Sequence, residues 1–154
     1  MTGRILGLDP GERRIGVALS DPLGMIASPH SVIDQREQDV ATELRRLVDE
    51  EEVTRIVIGL PVSLDGREHL SAKRARQFGA VVAKATGMEP VFADERFTSR
   101  VAERALIEGN MSRAERRTTR DKVAAAVMLQ GYLDGPYTRE RALDQAEEEP
   151  NDAS

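Results

Sequence analysis

Apolar and polar positions along this chain change period several times, and each change marks an element. "RILGLD" is a mostly apolar run, and Gly3 to Asp9 reads as a strand. "RIGVALS", Arg14 to Ser20, reads as a second strand, and the short Pro-Gly connection between the two predicts a hairpin. Met25 to Ile33 is a weaker third strand, and its Pro29 suits an edge better than a sheet centre. The period then lengthens. Val40, Leu44, Leu47 and Val48 fall on one face of an amphipathic helix. "RIVIGL", Arg55 to Leu60, is continuously apolar and reads as a buried strand. Pro61 and Gly66 punctuate the loop after it. Leu70, Ala75, Phe78, Val81 and Val82 mark a second helix that should stop near Gly87. "PVFADE", Pro90 to Glu95, is a last short strand, followed by helices near Thr98 to Glu108 and Asp121 to Leu133. Ser112 to Glu115 fits a capping box, but the residues up to Arg120 lack an apolar stripe, which leaves a loop as the alternative there.

Three strands, then helix, strand, helix, strand and helices imply an α/β fold. The start is antiparallel and the later units are β-α-β, so the central sheet should be mixed, with helices on both faces. The 154 residues make one domain, expected over residues 1–136, with a charged and disordered tail over residues 137–154. No stretch reaches the roughly 18 apolar residues of a membrane helix, so no membrane partner is expected. The opening "MTGRILGLDPG" meets acid and base too soon for a signal peptide. Cysteine is absent, which excludes a disulfide framework, a thiolate zinc site and a thiol nucleophile. A soluble cytoplasmic protein is the expectation.

Charge changes the picture once its distribution is considered. The net charge of −5 comes from the tail: Glu140, Asp144, Glu147, Glu148, Glu149 and Asp152 stand against Arg141 alone between Glu140 and Ser154, and acids and bases balance in the rest. Between Arg96 and Arg120, seven Arg face three Glu. Such local patches matter more for nucleic-acid binding than net charge, although solvated helix faces give the same composition. The 19 Arg against 3 Lys also suit phosphate, which a guanidinium fork holds at two oxygens, though codon bias has the same effect.

The candidate chemistry lies at the element ends. The first strand ends at Asp9, the last at Asp94 and Glu95, and the final predicted helix opens with Asp121. Sites in open α/β sheets form outside the strand ends. If the first and last strands are near one another, Asp9, Glu95 and Asp121 converge, and their repulsion calls for a cation. Oxygen ligands of this kind favour Mg²⁺ or Mn²⁺. Two such ions about 4 Å apart would clamp a phosphodiester. Each acid also has a plainer reading. Asp9 opens a turn, Asp121 complements a helix dipole, Glu95 pairs with Arg96 or Arg100, and Asp65 in "LDG" is a turn residue. Competing motifs are weak. There is no P-loop or dinucleotide fingerprint, His30 and His69 lack metal spacing, and Ser63 has no nucleophile-elbow context. Five aromatics are too few for base stacking to dominate, and Phe97 and Tyr132 read first as packing residues.

Four blocks, "LGLDPGERRIGVALSD", "VIGLPVSLDG", "DERFTSRVAE" and "DKVAAAVMLQGYLD", together resemble the YqgF/RuvX family over Leu6 to Asp134. The resemblance implies an RNase H-like fold of the RuvC type and an acidic cluster that holds divalent metal. It also implies either endonucleolytic maturation of the pre-16S rRNA 5′ end or resolution of Holliday junctions. It places Asp9, Glu95 and Asp121 at the family's acidic positions, as both catalytic residues and ligands of two Mg²⁺ or Mn²⁺ ions. Asp65 and Asp94 match as supporting or turn residues. Arg120 stands where an apolar residue is usual and Lys122 where a small one is common. Both add positive charge beside Asp121 and would either hold phosphate or weaken the start of the helix.

The expectation is therefore a metal-dependent endonuclease acting on structured RNA, with Arg13, Arg14, Arg96, Arg100, Arg113, Arg116, Arg117, Arg120 and Lys122 contacting the backbone. Strand alternation should turn only one of Arg13 and Arg14 to the site. A resolvase of branched DNA shares this chemistry and would act as a homodimer, presenting two sites to paired strands. A transcription-associated nucleic-acid-binding protein without catalysis is the alternative from another class.

Overall fold

Which residues meet across the sheet is decided by alternation along its first strand. Leu6 and Leu8 are fully buried on one face, while Ile5 and Gly7 face the other. The computed structural model describes residues 3–60, 70–94 and 113–135. Five strands, β1 (Arg4–Pro10), β2 (Arg14–Ser20), β3 (Ala27–Asp34), β4 (Val53–Leu60) and β5 (Val91–Asp94), form one sheet in the order β3-β2-β1-β4-β5. β1, β2 and β3 pair antiparallel, and β4 and β5 add in parallel with β1. This is the mixed sheet expected from the order of elements.

Helices α1 (Val40–Glu50) and α2 (Leu70–Thr86) cover one face, and α3 (Arg113–Asp134) covers the other. Asp39 caps α1 by accepting the Thr42 amide at 3.2 Å, and Leu44 and Leu47 bury its apolar stripe against the sheet. α2 ends where expected: Gly87, at φ 75°, takes the left-handed conformation that stops a helix. Ala75 and Val82 of α2 are buried and Phe78 packs beside them, but Val81 is 48% exposed, because the position adjacent to Val82 turns about 100° away from the sheet. On the opposite face, Ala125, Ala126, Met128, Leu129 and Tyr132 of α3 pack on Ala18 and Val57. Leu129 lies over Gly7, and truncating this fully buried side chain to Ala should cost about 2–5 kcal/mol.

Two elements differ from the sequence reading. β3 starts at Ala27 rather than Met25. The Asp21 carboxylate accepts the amides of Leu23, Met25 and Ile26 at 3.3, 2.7 and 2.8 Å, and this turn holds Met25 and Ile26 out of the ladder. α3 starts at Arg113 rather than Asp121, so the stretch up to Arg120 is helix and not loop. Arg, Ala and Glu are strong helix formers, and they carry the helix without an apolar stripe. Pro29 does sit in an edge strand, as expected. The predicted helix at Thr98 to Glu108 and the tail from residue 137 lie outside the described residues.

Candidate metal and nucleic-acid site

β1 carries Asp9 to the end of the sheet where the parallel strands finish. By alternation Asp9 shares the face of Ile5 and Gly7, which is the face covered by α3. Pro10 and Gly11 then turn the chain aside, and the Gly11 amide donates to the Arg14 carbonyl at 2.9 Å. The turn is braced from outside. Arg74 on α2 reaches Glu12 at 2.8 Å, and the Gln35 side chain donates to the Gly11 carbonyl at 3.2 Å.

Asp9 lies opposite Gly16 in the β1–β2 register. A β-carbon at Gly16 would collide with the Asp121 backbone carbonyl, whose carbon would be only 2.7 Å away, and would meet the Ala125 β-carbon at 3.3 Å. α3 therefore crosses β2 in near backbone contact at the position beside Asp9. Register and close approach together bring Asp9 and Asp121 to one face and one end of the sheet. Asp121 does not open its helix, because α3 begins at Arg113. The N-terminal dipole is thus not the reason for an acid there, and Arg120 and Lys122 do not weaken a helix start.

The electrostatics centre on Asp121. Partial burial raises its carboxyl above the usual value of 3.8, and the Arg14 and Arg120 charges oppose that rise. The Arg14 Nε is 3.6 Å from Asp121 Oδ2. Arg13 turns outward instead and makes a two-point contact with Asp34, at 3.2 Å from Nη2 and 3.4 Å from Nε. Asp34 is held below its usual range chiefly by the Arg36 amide and then by Arg13. So Arg14 is directed to Asp121, and Arg13 is engaged with Asp34.

Arg120 is exposed and Lys122 half-buried, on either side of Asp121. Arg113, Arg116 and Arg117 belong to the first turns of α3. Glu95, Arg96, Arg100, Asp65, His69 and Phe97 lie outside the described residues. β5 ends at Asp94, whose backbone partner is Leu60. His30 contacts Ser31 at 2.8 Å and Glu51 at 3.5 Å, and Tyr132 is buried in the α3 core. Among the described residues no group of three acids, His or Cys is arranged to hold a metal ion. Asp9 and Asp121, on one face at one end of the sheet, offer oxygen donors of the kind a hard divalent cation takes, and the desolvation of Asp121 favours such a counter-charge.

The sequence reading missed Gly16. An isolated Gly inside the apolar "RIGVALS" strand was the available signal, since it marks close approach of another backbone.

A mixed five-stranded sheet of this order, with helices on both faces, is an RNase H-like fold. Thermus thermophilus RuvC, solved in complex with a Holliday junction substrate, shares the fold at TM-score 0.52 and 13% identity, over 84% of this chain and 94% of that one. The RuvX family model, described as Holliday junction resolvase, matches residues 3–135, and the chain belongs to that family. A Clostridium botulinum protein named "Putative pre-16S rRNA nuclease" is 44% identical over 133 residues, covering 85% of this chain and 96% of the relative. Proteins of the same name from Syntrophomonas wolfei and Lactococcus lactis are each 41% identical, covering 86% and 87% of this chain and 94% and 96% of the relatives.

Proposed function

We propose that this protein is a divalent-metal-dependent endonuclease that processes the 5′ end of pre-16S rRNA in the cytoplasm. The observation that carries the reading is the placement of Asp9 and Asp121 on one face at one sheet end, in a chain whose curated relatives bear the name of that nuclease. Asp9, Asp121 and Glu95 would hold one or two Mg²⁺ or Mn²⁺ ions. When bound, the ion supplies a strong positive charge against the phosphate and lowers the pKa of water. Asp9 is fixed by the β1 ladder and Asp121 by the packed helix, so both carboxylates present preorganised oxygens. Arg14, Arg120 and Lys122, with Arg113, Arg116 and Arg117 on the same helix and Arg96 and Arg100 before it, would grip the phosphate backbone. No helix among the described residues is long and apolar enough to cross a membrane.

A second reading is favoured by the description of the family model: a resolvase of DNA four-way junctions, acting as a homodimer. The test offers a labelled pre-16S 5′ leader and a four-way DNA junction to the wild type and to Asp9→Asn, with Mg²⁺, Mn²⁺ or chelator. Metal-dependent cleavage of the RNA alone, lost in the variant, is the expected result. Cleavage of the junction alone moves the function to recombination. Binding without cleavage of either substrate refutes the nuclease reading.

A further inference from the structure

Arg14 is the first residue of β2 after the hairpin turn, two residues along the strand from Gly16 and on the same face. Two residues along a strand span about 6.6 Å, so Arg14 lies farther out from the core than the Asp9–Gly16 pair. Its guanidinium reaches back to Asp121, with Nε 3.6 Å from Oδ2, and both side chains are about two-thirds buried. Asp34, which lies opposite Arg14 in the β2–β3 register, is already engaged by Arg13 and by the Arg36 amide. The cations acting on Asp121 are Arg14 first and Arg120 second.

We propose that Arg14 is a positioning residue that competes with the divalent ion for Asp121 and, once displaced, engages the phosphate of the nucleic acid. The inference rests on the metal-nuclease reading above. A guanidinium and a divalent ion cannot share one carboxylate without repulsion. The ion therefore binds more weakly than the carboxylates alone would allow, and its binding favours movement of the guanidinium away from Asp121. Arg14 is rooted toward the open end of the sheet, farther out than Asp9, so its long side chain can extend outward there. A phosphodiester drawn to the acids by the ion would meet it there, and the planar fork suits two phosphate oxygens. Metal and substrate then bind cooperatively, because the phosphate gives the displaced guanidinium a new partner.

The test is Mn²⁺ binding, followed by the EPR signal of the free ion, for wild type, Arg14→Gln and Arg14→Lys, with thermal melts to confirm folding. Arg14→Gln should bind Mn²⁺ on the order of tenfold more tightly, as expected from removing one positive charge about 5 Å from a divalent ion near the surface. Arg14→Lys keeps the charge and should stay near wild type. In the same variants, RNA binding should lose about one unit of salt slope in Arg14→Gln, as expected for one phosphate contact. Equal Mn²⁺ affinity in wild type and Arg14→Gln, or weaker binding in Arg14→Gln, overturns the competition and leaves the metal-nuclease reading standing. An unchanged salt slope overturns the transfer to phosphate. Failure of every protein to take up Mn²⁺ overturns the metal reading and this proposal together.

Discussion

Replacing Gly16 by Ala tests the packing that builds the site. The new β-carbon would lie 2.7 Å from the Asp121 carbonyl carbon, with the carbonyl oxygen closer still, and 3.3 Å from the Ala125 β-carbon. Favourable carbon–carbon contact begins near 3.5 Å, so backbone atoms must separate by about 1 Å. The obstruction is helix backbone and cannot rotate away as a side chain would. Either α3 lifts off β2 at Asp121, or β2 bends beneath it. Overpacking of this kind costs about 1–3 kcal/mol, offset by roughly 0.4–1 kcal/mol from the lower entropy of the unfolded Ala chain. The net loss of about 1–2 kcal/mol corresponds to a fall in Tm of about 3–6 °C for a chain of this length. Activity should suffer far more, because a 1 Å displacement of an acid at a catalytic site costs about 100-fold. Gly7→Ala is the matched control. Its β-carbon meets the Leu129 side chain at 2.9 to 3.3 Å, two turns along α3 from Asp121. It should lose comparable stability but retain most cleavage. The assay is thermal unfolding of both variants beside cleavage at a temperature where each is folded. Parallel losses of activity in the two variants, or a wild-type Tm for Gly16→Ala, would refute the reasoning.

Three further outcomes follow from the same geometry. Asp121 has a raised carboxyl pKa in the fold, so its ionisation costs stability as pH rises through the carboxyl range. Melting without divalent ions should therefore find Asp121→Asn at least as stable as wild type at pH 7, with the difference fading below about pH 4; a deficit at pH 7 that grows with pH would contradict this. Asp21 has the opposite sign, because the Ile26 amide and then those of Met25 and Leu23 hold its carboxyl below the usual value. Asp21→Asn should lose stability at neutral pH, and melts should converge with wild type as acid protonates Asp21. Asp9→Asn should abolish metal-dependent cleavage and leave the circular dichroism spectrum unchanged, whereas loss of the fold would argue that Asp9 is a structural residue.

The elements that period made legible in the sequence are those whose apolar side is packed. β1, β2, β4 and α1 follow their hydrophobic patterns to within a residue or two, because one face of each meets the core. The misplaced boundaries occur where packing is not what decides. Met25 and Ile26 are apolar yet 65% exposed, because the Asp21 carboxylate captures their amides more favourably than the β2 edge does. The first turns of α3 have no apolar stripe, so periodicity registers only the part of the helix that rests on the sheet.

That second difference alters the physical meaning of Asp121. An acid opening a helix is stabilised by the macrodipole and needs no function. An acid eight residues inside a helix, partly desolvated and next to a positively charged arginine, is not explained by secondary structure at all. Gly16 points the same way. Ala would suit an isolated strand better than Gly, but here the missing β-carbon admits the α3 backbone at Asp121 and the Ala125 side chain. A sequence that accepts a glycine in a central strand and a strained charge in a packed helix, at adjoining points, carries two local costs. Both accompany the close approach of α3 to β2, which sets Asp9 and Asp121 on one face at the end of β1.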